Sequence, residues 1–478
     1  MSVTDYAYFD NNATIPMTTR AIDIFSKVSH AGNISSGNPI ANYWRTEANK
    51  FEGLIRDGIG ASEKDYELLW TSGSTESNCT VVDMFTVNNQ ERRAIICSSI
   101  EHKCLLQAVR QAEMSGTMVV WINPQEDGTI LPDDVRKAID YVYNINPDYP
   151  IMTLVTIMHA NNETGAINDL DKISRIIHGY KSMMPIFFYS DCAQTFGKIK
   201  IRVSSVDFYM APGDQVYLQV DGGFIRIMSA DELEDYAHQS SIILLVNRER
   251  QVLHPKRLID GICFSGHKFG GPTGIGSLII SREFLGVRSF IPITGAQNYG
   301  LRGGTYNISG IMSMREAYVD MIINHGREVQ GSLSGKSRIL DGLRNNRIPV
   351  IRFIDYIHLG QENRPSKCLV YFMTRDPKDT LPGTLYCSIV YNNCSHQICN
   401  VSLKKYFEKN GIILSIGSAC NSATKGMSHV LEAMNCPYEV ALGILRISSY
   451  DNSSRDYDTL LSALLRLYSK IDDVCIKK

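Results

Sequence analysis

Ser265-Gly-His267-Lys268 runs directly into Phe269-Gly-Gly-Pro-Thr-Gly, so this lysine, flanked by Ser and His, enters a Gly/Pro turn rather than a solvated helix face. A lysine withdrawn from water loses its proton readily and can form a Schiff base with an aldehyde. Other segments offer partners for such chemistry. Thr71-Ser-Gly-Ser74-Thr75-Glu76 is a small-residue loop entering a helix, where open amides and hydroxyls make a phosphate cradle. Taken alone it reads more readily as a plain helix cap with an acid in the first turn. Glu101-His102-Lys103 supplies an imidazole, although a lone His is more often structural. His159-Ala-Asn161-Asn162-Glu163-Thr164-Gly165 follows an apolar run, and Asp191 stands at the tip of another, where an acid commonly caps the next helix. Cradle, stacking His, strand-end acid and lysine, in this order, describe a pyridoxal phosphate site. Asp191 would hold the pyridine nitrogen protonated and make the ring an electron sink.

Side chains so far apart in sequence need a scaffold that gathers them. Residues 67–70, 94–97, 118–121, 152–158 and 186–189 are short, continuously apolar and β-rich, as buried strands are. Helical patterns lie between them, the clearest being the stripe Trp44, Ala48, Phe51, Ile55 and Ile59. The alternation implies parallel crossovers and an α/β sheet covered on both faces, with its ligand site at the carboxyl ends of the strands. Beyond about Ile308 the pattern changes. Residues 350–354, 368–373, 385–391 and 412–416 predict strands of a second sheet. Tyr457, Leu460, Leu461, Leu464, Leu465, Tyr468 and Ile471 mark an amphipathic closing helix. We expect a large α/β domain over 15–308 and a smaller α+β domain from 1–14 and 309–478.

Residues 212–262 break the rhythm. Val216, Leu218 and Val220 alternate, Asp221-Gly222-Gly223 signals a turn before residues 224–228, Ser229-Ala-Asp-Glu resembles a helix start, and 242–246 is another strand. This insertion is expected at a molecular edge, where it affects access or partner docking. Gly335-Lys336-Ser337 invites a nucleotide-loop reading, but Gly331 is one residue too close and no strand precedes it, so a plain loop is expected. Cys394-Ser-His396-Gln-Ile-Cys399 lacks a second ligand pair at zinc spacing, and no metal is expected.

Composition narrows the partners. The 478 residues balance 48 Lys+Arg against 50 Asp+Glu, a net charge of −2, with 44% hydrophobic and 21% charged residues. That gives no electrostatic reason to expect a nucleic acid or an acidic membrane as partner. No apolar run approaches the roughly 18 residues of a membrane span. The first nineteen residues hold no Lys or Arg, unlike a signal or transit peptide, and the 12 Cys form no small-domain framework. A reducing, cytoplasmic compartment is expected.

The motifs together resemble the cysteine desulfurases (NifS-like) within the class V aminotransferase group. They are residues 8–16 (Tyr-Phe-Asp-Asn-Asn-Ala-Thr-Ile-Pro), 71–78, 101–103, 158–165, 191–194, 265–268, Leu301-Arg302-Gly-Gly-Thr305, 415–422 and Leu445-Arg446-Ile-Ser448. The resemblance implies a fold-type-I transferase in which Lys268 carries the cofactor, His102 stacks on its ring and assists proton transfers, and Asp191 pairs with the pyridinium. It places Asn162 and Gln194 near the ring hydroxyl, and Ser74, Thr75, Ser265 and His267 on the phosphate. Thr305 would reach a neighbouring subunit's phosphate, implying a homodimer with shared sites. Arg446 would clamp the substrate carboxylate, with Asn38 a further substrate contact. Cys420, in Ser415-Ile-Gly-Ser-Ala-Cys420-Asn-Ser-Ala-Thr, would attack the sulfur of L-cysteine as a thiolate, leaving L-alanine and a persulfide for a sulfur acceptor or scaffold protein. Read without the resemblance, such a Cys is often a small buried hydrophobe. A selenocysteine lyase or aminotransferase on the same fold, or a non-catalytic interaction protein retaining it, are the alternatives. The chain departs from the family pattern before Arg302, at Gly303, and at Gly271 and Thr273 after Lys268.

Overall fold

Segments without a polar face can satisfy their backbones only inside a sheet covered on both sides, and that is where these lie. The computed structural model describes residues 6–87, 92–205, 215–220, 223–227, 242–246, 249–253, 256–288, 290–391, 396–398, 400–416, 427–450, 452–471 and 475–477. The main sheet comprises β1 (Tyr66–Thr71), β2 (Arg93–Ser98), β3 (Met118–Ile122), β4 (Met152–Thr156), β5 (Ile186–Asp191), β6 (Gly261–Ser265) and β7 (Gly276–Ser281). Its spatial order is β1-β7-β6-β5-β4-β2-β3. Neighbours from β6 to β3 pair parallel, and β7 runs antiparallel between β6 and β1. The expected α/β sheet is present, and its parallel strands all deliver their carboxyl ends to one edge. The polar segments of β1, β2, β4, β5 and β6 converge there.

Helices α1 (Pro39–Ile59), α2 (Ser74–Thr86), α3 (Lys103–Met114), α4 (Pro132–Ile145) and α5 (Leu170–Tyr180) flank these strands. The stripe of α1 is buried at Ala48, Phe51, Ile55 and Ile59. Its ends follow local chemistry: the Asn38 side chain accepts from the Ala41 amide, Pro39 fixes the first turn, and Gly60 closes the helix in the left-handed region. Among the described residues no helix is long and apolar enough to cross a membrane.

The C-terminal third adds α6 (Ile308–Asn345), β8 (Val350–Arg352), β9 (Lys367–Phe372), β10 (Thr384–Tyr391), β11 (Ile444–Ser448) and the closing helix α7 (Ser454–Ser469). The second sheet is ordered β8-β9-β10-β11. Two details differ from expectation. The strand at 350 stops at Arg352 and becomes the short helix Phe353–Ile357. There Arg352 Nε bonds Asp355 at 2.8 Å across one turn, and Phe353 stacks on Phe372. Ile412–Leu414 joins not the second sheet but a parallel pair with Ala7–Phe9. Bridges from Asp10 to Ser448 and from Ser415 to Arg446 fasten that pair to the end of β11. The chain's N-terminal strand thereby brings Asp10 and Asn12 to Arg446.

In the insertion, Val216–Val220 and Gly223–Ile227 form the expected hairpin and Ile242–Val246 pairs with Glu249–Leu253, giving a separate four-stranded antiparallel sheet. The chain leaves the main body at Ser204–Ser205 and rejoins it at Lys256–Arg257, which pair with each other. Ile262, at the expected far boundary, is a buried residue of β6. The helix start at Ser229, together with Cys394, Cys399 and Cys420, lies outside the described residues.

The loop expected at Gly335-Lys336-Ser337 is corrected: all three lie within α6. Gly335 is there because α7 crosses at that point, and a Cβ on Gly335 would sit 2.0 Å from the buried Tyr457 ring. Gly335→Ala is therefore expected to destabilise the protein by about 1–3 kcal/mol through overpacking, read as a lowered denaturation midpoint. An unchanged midpoint would show that the two helices can part freely.

Candidate active site

At the turn after β1, Gly73 adopts φ +144, a conformation that side chains rarely tolerate, and it aims the first amides of α2 across the sheet edge. The Ser74 amide donates to Ser265 Oγ at 2.7 Å, and the two hydroxyls lie 3.0 Å apart. The capping reading of this loop is met only in part: Gly73 is the N-cap with no side-chain cap, while Glu76 in the first turn accepts the Ser72 amide. Glu76 in turn holds Arg302 through two bonds, Nε at 2.8 Å and Nη2 at 3.2 Å. His267 Nδ1 meets Thr14 Oγ1 at 3.0 Å. Burial, then the Lys268 and Lys198 charges, push His267 down to about 4, so it is neutral and offers hydrogen bonds rather than charge.

Asp191 ends β5 almost fully buried. Its Oδ1 accepts the Ala193 amide at 2.9 Å and its Oδ2 accepts Asn78 Nδ2 at 2.8 Å. Lys268 follows β6, and its Nζ donates to the carbonyls of Asn12 at 2.7 Å and Ala13 at 2.9 Å. Desolvation, and then the nearby Arg446 charge, push this lysine down from 10.5 to about 8, against opposing pulls from Asp191 and Asp10. Its neutral amine is the form that attacks an aldehyde. The rate at which the protein captures pyridoxal phosphate should rise with pH and level off above about 8, followed by visible absorbance. A rise continuing toward 10.5 would contradict this. Between those values the unfolded chain still carries the proton that folded Lys268 has lost, so the cofactor-free protein should also gain stability as pH rises through that window.

His102 is the N-cap of α3, its Nδ1 accepting the Cys104 amide. The structural reading of this histidine is thus true as well, yet its ring lines the same cavity. Its pKa is lowered by desolvation first, and by the Lys268, His429 and Lys103 charges, with Asp191 opposing. Arg446 on β11 is buried, with Nη2 paired to Asp10 Oδ1 at 2.7 Å and Nη1 donating to the Asn162 carbonyl at 3.1 Å.

These groups surround one cavity of about 450 Å³. Of the residues singled out from sequence, Ser74, Thr75, His102, Asn162, Asp191, Gln194, Ser265, His267, Lys268 and Arg446 all line it. Asn38 does not: it is exposed, with its side chain committed to capping α1. Thr305 is exposed and also outside the lining. Three residues that sequence reasoning did not single out act here: Asp10 on Arg446, Asn12 on Lys268, and Asn78 on Asp191. All lie within motifs already noted, 8–16 and 71–78, but nothing in their spacing reveals what they touch.

The family profile of the class-V aminotransferases matches residues 7–217 and 223–458. The chain belongs to this family. Among curated class-V relatives, the cysteine desulfurase IscS of Dictyoglomus turgidum is 26% identical over 471 residues, covering 97% of this chain and 95% of its own. IscS of Methanosarcina thermophila is 27% identical, covering 97% and 92%. Among solved structures, a NifS-like protein superposes with a TM-score of 0.69 at 23% identity, covering 97% of this chain and 100% of that one. The apo cysteine desulfurase of Thermococcus onnurineus gives 0.68 at 16%, covering 98% and 96%. The architecture is that of the fold-type-I class-V enzymes, which depend on pyridoxal phosphate. The residues present fit that group. A buried carboxylate and an amine of lowered pKa share one cavity with Gln194, whose Oε1 is buried without a partner.

Proposed function

We propose that the protein is a cysteine desulfurase, converting L-cysteine to L-alanine and taking the sulfur onto Cys420 as a persulfide for a downstream acceptor. The observation that carries this reading is the convergence of Lys268, Asp191, His102 and Arg446 on a single cavity, supported by relatives named as cysteine desulfurases along nearly their whole length. Pyridoxal 5'-phosphate would be held covalently by Lys268 and at its ring nitrogen by Asp191. His102 would lie over its ring, Asn162 and Gln194 by its hydroxyl, and Ser74, Thr75, Ser265 and His267 on its phosphate. Bound there, it supplies an electron sink for a carbanion at the α-carbon of an amino acid.

The chain's own groups do the rest. Arg446 offers a fixed guanidinium to the substrate carboxylate, and its Nε is buried without a partner. Lys268 and His102, both with lowered pKa values, can accept and return a proton near neutral pH. At Cys420 the balance is simple: the substrate C–S bond breaks, an S–S bond forms on Cys420, and the carbon left behind takes up a proton to give alanine. No external oxidant or reductant enters. Exposed Thr305 supports the further reading of a homodimer in which it reaches the phosphate of the neighbouring site. We also keep the division into a large domain, 15–308, and a small one from 1–14 and 309–478 carrying Cys420, in a reducing compartment.

Incubation with L-cysteine, scoring alanine and protein-bound persulfide, tests the function. Wild type should form both, and Cys420→Ser should form no persulfide at that position. Alanine without persulfide, or amino transfer to a keto acid, would overturn the proposal.

A further inference from the structure

Beneath the cavity, Asn78 touches more than one functional group. It is fully buried on α2. The Asp191 carboxylate, which can only accept, fixes the amide with Nδ2 toward it, and Oδ1 on the other side accepts the Tyr189 hydroxyl at 2.7 Å. Nδ2 carries two hydrogens and meets two acceptors, Asp191 Oδ2 at 2.8 Å and Cys104 Sγ at 3.4 Å. Cys104 Sγ lies 2.9 Å from His102 Nδ1. The direction of that last bond follows from its surroundings. The Cys104 amide already donates to Nδ1 at 3.3 Å, so Nδ1 presents its lone pair and the thiol must donate. Burial pushes the Cys104 thiol up to about 11, which keeps it neutral and able to do so.

We propose that Tyr189, Asn78 and Cys104 form a hydrogen-bond relay that positions Asp191 and His102 as one unit and locks His102 with its proton on Nε2. Every polar hydrogen in the chain has an acceptor and every donor points one way, the arrangement in which such bonds reinforce each other. Asn78 and Cys104 are positioning residues. They act on the strand-end acid and on the histidine, and the relay leaves Nε2 as the nitrogen that exchanges protons with the cavity's contents. Its catalytic meaning rests on the proposed function, but its existence does not.

The test is nitrogen-15 NMR of histidine-labelled protein, with and without pyridoxal phosphate, assigning His102 by the loss of its signal in His102→Gln. Wild type should show the Nε2–H tautomer. Cys104→Ala should shift the tautomer ratio about fivefold toward Nδ1–H, the effect of losing one ordinary hydrogen bond. Cys104→Ser should restore it. Asn78→Leu should shift it in the same direction, and in the double variant the two shifts should not add. A wild-type proton on Nδ1, an unchanged ratio in Cys104→Ala, or additive shifts would overturn the relay. A tautomer shift in a protein that binds no cofactor would support the relay and contradict the proposed function. Cofactor binding with no shift would contradict the relay alone.

Discussion

Asp191→Asn should cost about 10³-fold in turnover of L-cysteine while leaving the fold intact, because a buried charge pair broken on one side loses about 3–5 kcal/mol. The substitution preserves shape, and the new Oδ1 can still accept Asn78 Nδ2. The negative charge is lost, and with it the means of holding a protonated nitrogen above it. The Ala193 amide also loses its acceptor, because the new amide nitrogen can only donate. Affinity for pyridoxal phosphate should fall as well, measured by equilibrium dialysis, with the thermal midpoint of the cofactor-free protein little changed. Turnover near the wild-type rate would show that Asp191 merely caps the segment after β5, through its bond to the Ala193 amide.

Arg446→Ala should reduce kcat/KM for L-cysteine about 10²–10³-fold, since truncating one member of a buried, hydrogen-bonded charge pair costs about 2–5 kcal/mol. The loss should fall mainly on KM, because the carboxylate is bound alike in ground and transition states. Part of the loss has another origin. Asp10 would lose its 2.7 Å partner, and the carbonyl of Asn162 would lose its donor. Arg446→Lys separates the two effects: it keeps the charge beside Asp10 but not the planar fork, and should recover stability more fully than KM. An Arg446→Ala enzyme with unaltered KM would remove this arginine from substrate binding.

Much of the site was legible because parallel strands impose a rule that sequence can exploit: whatever follows each apolar run lies at the same edge. The polar tips after β1, β2, β4, β5 and β6 could therefore be gathered before any coordinates. Sequence offers a cap and a ligand group as readings for Thr71–Glu76 and Asp191, and a structural role for His102. The structure makes His102 the N-cap of α3 and gives the Gly73 start of α2 no side-chain cap. It places no helix after Asp191, whose Oδ1 accepts the Ala193 amide instead. A helix start or strand end needs its backbone satisfied whether or not it also serves chemistry, so one residue does both.

What escaped was set by tertiary packing. Asp10 and Asn12 reach the site because Ala7–Phe9 pairs with Ile412–Leu414, a contact across some four hundred positions that no local pattern encodes. Gly335-Lys336-Ser337 reads as a loop from sequence because it carries part of a nucleotide-loop motif, with Gly331 one residue too close and no strand before it. The reason for Gly335 lies in the Tyr457 ring on another helix. Asn78 was visible in a motif, but its bonds to Asp191 and Cys104 depend on how α2 seats against β5 and α3. Asn38 has its side chain in the cap of α1, leaving the substrate contact once expected of it to be tested by its own substitution.

The amine of Lys268 in this cavity can be labelled directly. Pyridoxal phosphate is added, the protein reduced with borohydride and digested, and the labelled peptide sequenced. One label per chain, on Lys268, with its yield falling as Asp191 is replaced by Asn, is the result expected. A label on another lysine, or none above the level seen in the unfolded chain, would contradict it.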